Sequence, residues 1–239
     1  DLHSLRRRQR QMCIRDRISA DAVVISVGTV PNSEIAVKAG LHVDESGHII
    51  VDSYMRTSDP DIYAVGDVAQ KRNFFTGTPM KAYFSSLAVI EGRIAALHIL
   101  GIDTSKIMFD GALPVFSTVI GNLALASAGL TEKKARRIGL SIVPVSVETI
   151  NRHPGNLPNA KRILLKAIFA SKSLRLIGVQ LAGPECIGEM INAVAILIQL
   201  GLTAYDILKL QFATQPKLTS SPLSYPIHLA ALRAIEKNR

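Results

Sequence analysis

The stretch Thr57-Ser58-Asp59-Pro60-Asp61-Ile62-Tyr63-Ala64-Val65-Gly66-Asp67 decides the fold. Residues 62–65 form a short apolar run between a proline-containing turn and Gly66-Asp67, a pattern that predicts a buried strand of an α/β sheet. Ligands of open α/β sheets bind beyond the carboxyl ends of the strands, where Asp67 falls. Because Gly66 has no Cβ, a ligand can approach the backbone closely, and the Asp67 carboxylate can accept hydrogen bonds from ligand hydroxyl groups.

The flanking segments extend this pattern in both directions. Residues 22–28, Ala-Val-Val-Ile-Ser-Val-Gly, predict a strand that is followed by a turn at Pro31-Asn32. A short helix is predicted next, with Ser33 as its N-cap. Residues 47–52, Gly-His-Ile-Ile-Val-Asp, predict the second strand of a hairpin. Together these segments resemble the pyridine nucleotide–disulfide oxidoreductases, whose second flavin-binding motif reads Thr-(x)n-Tyr-Ala-x-Gly-Asp. A plain turn is the alternative for Gly-Asp alone, but the register over residues 22–67 disfavours it.

The resemblance implies a set of cofactor-binding residues. In the family the motif aspartate holds the ribityl chain of FAD, so the resemblance assigns that role to Asp67. It places Gly66 and Gly28 in the same cofactor site.

A loop is predicted over residues 68–80 after this motif, and a long helix follows it. Leu87, Ile90, Ile94 and Leu97 recur at helical spacing within residues 81–100. A helix N-terminus carries partial positive charge and free N–H groups. In the resembled family the corresponding helix points at the flavin, which implies a flavin contact for the main chain of Lys81 and Ala82. An ordinary amphipathic helix packed on a sheet explains the spacing equally well and is compatible with that contact.

The composition changes near residue 111, where an α+β pattern begins. Two predicted strands are joined at Gly121-Asn122, and Thr131 is a predicted helix cap. Three further strands and three helices follow. Thr203, with Asp206 three residues later, predicts a capping box on the second of these helices, and the last helix is predicted over residues 223–237. The order resembles the dimerisation domain of the same family, as does the segment 129–136, Gly-Leu-Thr-Glu-Lys-Lys-Ala-Arg. The fold class is therefore an α/β remnant of a FAD/NAD(P)-binding domain (residues 18–110), followed by an α+β dimerisation domain (residues 111–239).

Composition excludes several classes of function. The net charge is +9, yet no basic run is interleaved with aromatic residues, so nucleic-acid binding is disfavoured. Residues 1–17 are arginine-rich and match no family pattern. They resemble artefactual adapter sequence, and a basic targeting arm is the alternative. No apolar run reaches the ~18 residues needed to cross a bilayer. The two cysteines, Cys13 and Cys186, form no metal-ligand spacing, so we expect no metal site and a reducing, cytoplasmic location.

No residue of this chain is predicted to be catalytic. In the glutathione-reductase branch a His-Pro pair reaches the partner subunit's active site, whereas this chain has Gln215-Pro216. Glutamine does not exchange a proton near neutral pH, which favours the branch of NADH oxidases and coenzyme A-disulfide reductases. Cys186 precedes a helix, where a thiolate is stabilised, but the family places its redox cysteine elsewhere. We therefore interpret Cys186 as inert rather than as a redox thiol.

The resemblance implies the C-terminal portion of a flavin-dependent oxidoreductase that passes hydride from NAD(P)H through FAD to a thiol, a disulfide or oxygen. A Gly-x-Gly-x-x-Gly motif after a strand is absent from the sequence, so we expect this chain alone to bind FAD poorly and to be inactive. Its expected partners are small-molecule substrates and a second copy, through residues 111–239. The alternative is a non-catalytic dimerisation or interaction module with a vestigial flavin segment.

Overall fold

A computed structural model of the chain describes residues 17–102 and 107–239. Cys13 and nearly all of the predicted leader lie outside these ranges, as do residues 103–106 of the segment that joins the two predicted domains.

The amino-terminal part is held by short elements around a small core. Its core contains Ala36, Ile49, Met55 and Ile94. Met55 is 2% exposed although its φ is +69°, so tertiary packing holds it in a left-handed turn. The elements are α1 (Glu34–Lys38), a 3₁₀ turn (Gly66–Val68), β1 (Lys71–Arg72), β2 (Pro79–Met80) and α2 (Ser85–Ile99).

None of the three strands predicted here forms in the described residues. Residues 47–52 make only isolated bridges, from Ile49 to Val43 and to Ala69. Residues 22–28 have no regular structure, and Val23 and Val27 are 81% and 90% exposed. In residues 62–65, one isolated bridge joins Tyr63 to Arg56, and Ile62 and Val65 are more than a third exposed. Residues 22–28 form no strand because a strand needs a hydrogen-bonded neighbour, and the described residues supply none for this segment. Residues 62–65 do have a neighbour, since the Thr57 and Ala64 N–H groups donate to the carbonyl groups of Ile62 and Met55, but the pairing stops at one bridge and forms no strand.

Local details also differ from the sequence predictions. Helix α2 begins at Ser85, so residues 81–84 precede it instead of forming its first turn. The hydroxyl of Ser33 donates to the Gly47 carbonyl at 2.6 Å and does not cap α1. Within the segment predicted as a loop, β1 and β2 pair antiparallel, with Lys71 opposite Met80.

The carboxy-terminal part contains a five-stranded antiparallel sheet. Its strand order is β3-β4-β7-β6-β5, so the hairpin at Gly121 forms one edge and the long strand β5 the other. The strands are β3 (Val115–Ile120), β4 (Leu123–Gly129), β5 (Ile142–Ile150), β6 (Arg162–Ala170) and β7 (Leu176–Gly183). The predicted strands are confirmed here, with small shifts at their ends.

Helices cover both faces of this sheet. The helices are α3 (Glu132–Arg137), α4 (Ile187–Gln199), α5 (Ala204–Lys209) and α6 (Pro226–Lys237). On one face α4 and α6 bury alternate strand residues such as Leu165 and Val179. On the other, α3 covers Ile168 and Ile177. The Thr131 hydroxyl caps α3, and Thr203 forms a capping box with Asp206 on α5, as the sequence predicts. Helix α6 begins at Pro226, later than predicted.

The described residues contain no helix long and apolar enough to cross a membrane.

Candidate functional site

The turn at Gly66 presents an exposed carboxylate. Gly66 has a φ of +76°, in the region that L side chains rarely adopt. The positive φ, and not a lack of space, favours glycine here, because among the described residues a Cβ built on Gly66 would contact the Ala88 Cβ at an ordinary 3.7 Å. Asp67 follows in the 3₁₀ turn with its side chain exposed. The turn thus offers two carboxylate oxygens to solvent or to a ligand.

A buried ion pair lies directly behind this turn. The Lys71 Nζ is 3.0 Å from both carboxylate oxygens of Glu91, and the two side chains are 3% and 1% exposed. The same ammonium also donates to the carbonyl oxygens of Gly66 and Ala69, the latter at 2.9 Å. Its three N–H groups therefore all have acceptors, which is the condition under which a buried charge is tolerated.

The pair holds both peptide groups of Gly66. The Gly66 N–H donates to the Glu91 Oε2 at 2.7 Å, while the Gly66 carbonyl accepts from Lys71. Burial raises the pKa of Glu91, and the nearby Asp67 carboxylate raises that pKa further, whereas Lys71 lowers it. Glu91 and Asp67 are therefore close enough to repel each other electrostatically, with the Lys71 cation in contact with Glu91.

A second polar cluster anchors the segment that leads into helix α2. The His48 Nε2 is 3.0 Å from the Tyr83 hydroxyl, and its Nδ1 is 3.4 Å from the Asp44 carboxylate. Gln70 donates to the other oxygen of Asp44, and the hydrogen bonds that Asp44 accepts lower its pKa. These contacts tie the hairpin, the turn after Asp67 and the approach to α2 into one unit.

The residues predicted to bind the cofactor are only partly brought together. Gly66 and Asp67 are adjacent in the turn, whereas Gly28 is exposed in the unpaired segment, with no heavy atom within 4 Å of a Cβ built on it. Lys81 is exposed and Ala82 is buried, and both precede helix α2. The first main-chain amides of α2 therefore belong to Ser85 and Ser86.

Sequence reasoning missed Lys71 and Glu91. One signal pointed to them: Glu91 lies four residues after Leu87 and three before Ile94, on the buried stripe of α2. An acidic residue on an apolar stripe requires a buried partner. The spacing pattern does not show that this partner is Lys71, because Lys71 lies 20 residues away in the sequence.

Cys186 and Gln215 lie in the carboxy-terminal part. Cys186 is the N-cap residue of α4 and lines a cavity of about 180 Å³ with Ser220 and Tyr225. Partial burial of the thiol raises the pKa of Cys186, although the residue as a whole is exposed, and its interpretation as inert stays a prediction. In the described residues no group of three or more His, Cys, Asp or Glu side chains could hold a metal ion.

Two family models match the chain. The model described as pyridine nucleotide-disulphide oxidoreductase matches residues 8–86, and the model of the dimerisation domain of the same family matches residues 115–223. The first match includes part of the predicted leader, so the boundary after residue 17 stays a prediction.

Individual relatives agree with these matches. An NADH oxidase of Methanocaldococcus jannaschii is 32% identical over 91% of this chain and 47% of the relative. An NAD(P)H sulfur oxidoreductase (CoA-dependent) of Pyrococcus furiosus is 31% identical over 82% of this chain and 43% of the relative. The solved NAD-dependent persulfide reductase from A. fulgidus is 35% identical with a TM-score of 0.83, covering 91% of this chain and 40% of that one. The chain thus spans about half the length of the curated relatives it matches.

Proposed function

The chain belongs to the pyridine nucleotide-disulphide oxidoreductase family, and from this premise we propose that it is the carboxy-terminal portion of an FAD-dependent NAD(P)H oxidoreductase. The observation that carries the proposal is the Gly66–Asp67 turn, an exposed carboxylate at a backbone fixed from behind by a buried ion pair. Such a fixed acceptor suits a ligand that presents hydroxyl groups.

The residues present fit FAD. Both peptide groups of Gly66 are already bonded within the protein. The exposed Asp67 carboxylate, which no described residue donates to, is therefore the acceptor at this turn that suits the ribityl hydroxyls. The N-terminal end of α2 would lie toward negative charge on the flavin, through the amides of Ser85 and Ser86 or, as the sequence predicts, of Lys81 and Ala82. Gly28 stays a proposed cofactor contact. When bound, FAD would accept hydride from NAD(P)H and pass electrons onward.

The acceptor of these electrons is proposed as oxygen or a sulfur compound such as a disulfide or persulfide. The names of the relatives support both, since they include an NADH oxidase and CoA-dependent sulfur reductases. In this proposal Gln215 moves no proton, because an amide does not titrate near neutral pH. Proton transfer to the acceptor therefore does not use this position.

We propose that residues 111–239 form a homodimer in a reducing, cytoplasmic setting. The match of residues 115–223 to the dimerisation domain supports the dimer. Sedimentation of the chain at micromolar concentration is expected to give a dimer, and a clean monomer at that concentration would contradict this part of the proposal.

The cofactor proposal is tested by replacing Asp67 in the full-length protein. Asp67→Ala removes the charged acceptor, and loss of hydrogen bonds to an ionised group is worth about 1.5–3 kcal/mol, or roughly 10- to 100-fold in the FAD dissociation constant. Asp61→Ala is the matched control, because Asp61 is also exposed but lies in the preceding turn, before Tyr63. The flavin absorbance retained after gel filtration and the dissociation constant are the readouts. Unchanged FAD retention in Asp67→Ala would refute the proposal, and a wild-type protein without any flavin affinity would favour the non-catalytic module.

A further inference from the structure

We propose that Lys71 and Glu91 are positioning residues that hold the Gly66–Asp67 turn in the geometry in which Asp67 binds the cofactor, an inference that rests on the proposed function. The Gly66 N–H donates to Glu91 at 2.7 Å, and the Gly66 carbonyl accepts from Lys71. The two halves of one ion pair thus grip the two peptide groups that flank the Cα of Gly66. The direction of the Asp67 side chain follows from the orientation of these groups.

Stability alone does not explain charged residues at these positions. A buried ion pair is often no more stabilising than an apolar pair of similar volume, because both charges are desolvated. Lys71 and Glu91 are 3% and 1% exposed, so the desolvation applies in full to both. What an apolar pair does not provide is an acceptor for the Gly66 N–H and a donor for its carbonyl. The specific contribution of the charged pair is therefore orientation.

The backbone of Gly66 needs such a clamp. Its φ of +76° is accessible to glycine but not fixed by it, because glycine also populates negative φ readily. Among the described residues, apart from its two chain neighbours, the Ala88 Cβ is the one atom within 4 Å of a Cβ built on Gly66, so side-chain packing does not select one conformation there. One further contact, from the Ala69 N–H to the Gly66 carbonyl at 3.1 Å, is internal to the turn and moves with it. Glu91 belongs to helix α2 and not to the turn, so its hydrogen bond from the Gly66 N–H fixes the orientation of the turn relative to this helix.

Lys71 also neutralises the negative charge of Glu91, which lies close to Asp67. The Asp67 carboxylate and the Glu91 carboxylate repel each other. The Lys71 ammonium donates one hydrogen bond to Glu91 and its others to the carbonyl groups of Gly66 and Ala69. Glu91 is screened from the ligand side by burial, whereas Asp67 is exposed. With its charge balanced by Lys71, the Glu91 carboxylate accepts the Gly66 N–H, and the exposed Asp67 carboxylate can accept hydrogen bonds from ligand hydroxyl groups.

Two double variants of the full-length protein separate orientation from stability. Lys71→Met with Glu91→Leu gives an apolar pair without an acceptor for the Gly66 N–H. Lys71→Met with Glu91→Gln is also uncharged but keeps an amide oxygen that can accept this N–H. We expect the apolar pair to fold and to lose on the order of tenfold in FAD affinity, whereas the glutamine variant stays within about threefold of wild type.

The matched control is a surface ion pair far from the turn. Arg136→Met with Glu132→Gln removes a pair whose side chains are 58% and 29% exposed, on helix α3. This variant is expected to bind FAD as the wild type does. A general effect of removing charge would lower affinity here too and would overturn the assignment of the effect to orientation.

A readout without cofactor keeps this inference distinct from the proposed function. In glycine-labelled protein the Gly66 amide is expected to resonate downfield and to exchange slowly, because it is bonded to a buried carboxylate. The apolar pair should lose both signatures, and the glutamine variant should keep slow exchange. If the apolar pair folds, keeps Gly66 protected and binds FAD as wild type does, the inference is wrong. If the amide behaves as expected but no variant, nor the wild type, binds FAD, the clamp stands and the proposed function fails.

Discussion

Lys71→Met should make the stability of the chain depend on pH in one defined direction. The change leaves Glu91 at 1% exposure without its cation, and removing one partner of a buried pair is typically destabilising by about 3–5 kcal/mol near neutral pH. Lys71 lowers the pKa of Glu91, while burial, the largest effect, raises it above its ordinary value of 4.5. Without Lys71 that pKa must rise further.

The sign follows from proton linkage. A carboxyl group with a raised pKa in the folded state binds more protons folded than unfolded, so its stabilising contribution is complete below the unfolded pKa. This contribution is lost as the pH rises through the folded pKa, and a tenfold difference between the folded and unfolded acid constants corresponds to about 1.36 kcal/mol. The pH range over which stability is lost therefore begins near the ordinary Glu91 pKa of 4.5 and extends to higher pH. Lys71→Met should be less destabilised at its lower end than at neutral or alkaline pH.

Urea unfolding followed by circular dichroism, at a series of pH values from the ordinary carboxyl pKa upward, measures this dependence. The control is Lys71→Met with Glu91→Gln, since the glutamine amide does not titrate and its difference from Lys71→Met isolates the carboxyl group. A Lys71→Met destabilisation that is constant with pH, or that grows on acidification, would refute the assignment of the buried charge to Glu91.

Four further changes test the backbone geometry by thermal or urea unfolding. Gly66→Ala should destabilise by about 1 kcal/mol through its positive φ, since the site has room for a Cβ; no loss would show that the turn relaxes to negative φ. Gly178→Ala should destabilise by about 3 kcal/mol or more, because its Cβ would lie 1.8 Å from the Leu130 carbonyl oxygen. Gly188→Ala in helix α4, whose Cβ meets only a contact at 3.9 Å, should instead stabilise by about 0.5–1 kcal/mol. Thr203→Ala should destabilise by about 1 kcal/mol by removing the cap of α5, and a neutral result would contradict the capping box.

The sequence predicted the carboxy-terminal part well because its signals are local. The turn at Gly121, the cap at Thr131 and the capping box at Thr203 each lie within a few residues of the elements they delimit. The strands of that part also find their partners within the described chain. Local pattern and long-range pairing therefore agree.

The amino-terminal part shows where a local pattern is insufficient. Residues 22–28 and 62–65 have the composition of buried strands, yet a strand exists only where another strand accepts its hydrogen bonds. Among the described residues, the first segment has no such neighbour and the second has only a single bridge, from Tyr63 to Arg56. The start of α2 was predicted four residues too early because apolar spacing does not mark the first helical residue when no capping side chain is present.

The candidate site was predicted in part. The family resemblance identified Gly66 and Asp67, but the ion pair that supports them joins residues from β1 and α2 and has no motif. Its one trace in the sequence is the acidic residue on the buried stripe of α2. Supporting contacts of this kind become visible only when the two elements are placed in space.

The exposed apolar segment of residues 22–28 makes this chain prone to aggregation. Its β-branched side chains face water, its backbone N–H and C=O groups find no strand partner among the described residues, and it carries no charge. These are the properties of a segment that recruits identical ribbons from other molecules into stacked, fibre-like assemblies. Val24→Lys places a charge on a side chain that is 90% exposed, so it should oppose this stacking without disturbing the core. We expect turbidity in concentrated solutions to grow more slowly and the melting temperature to stay unchanged.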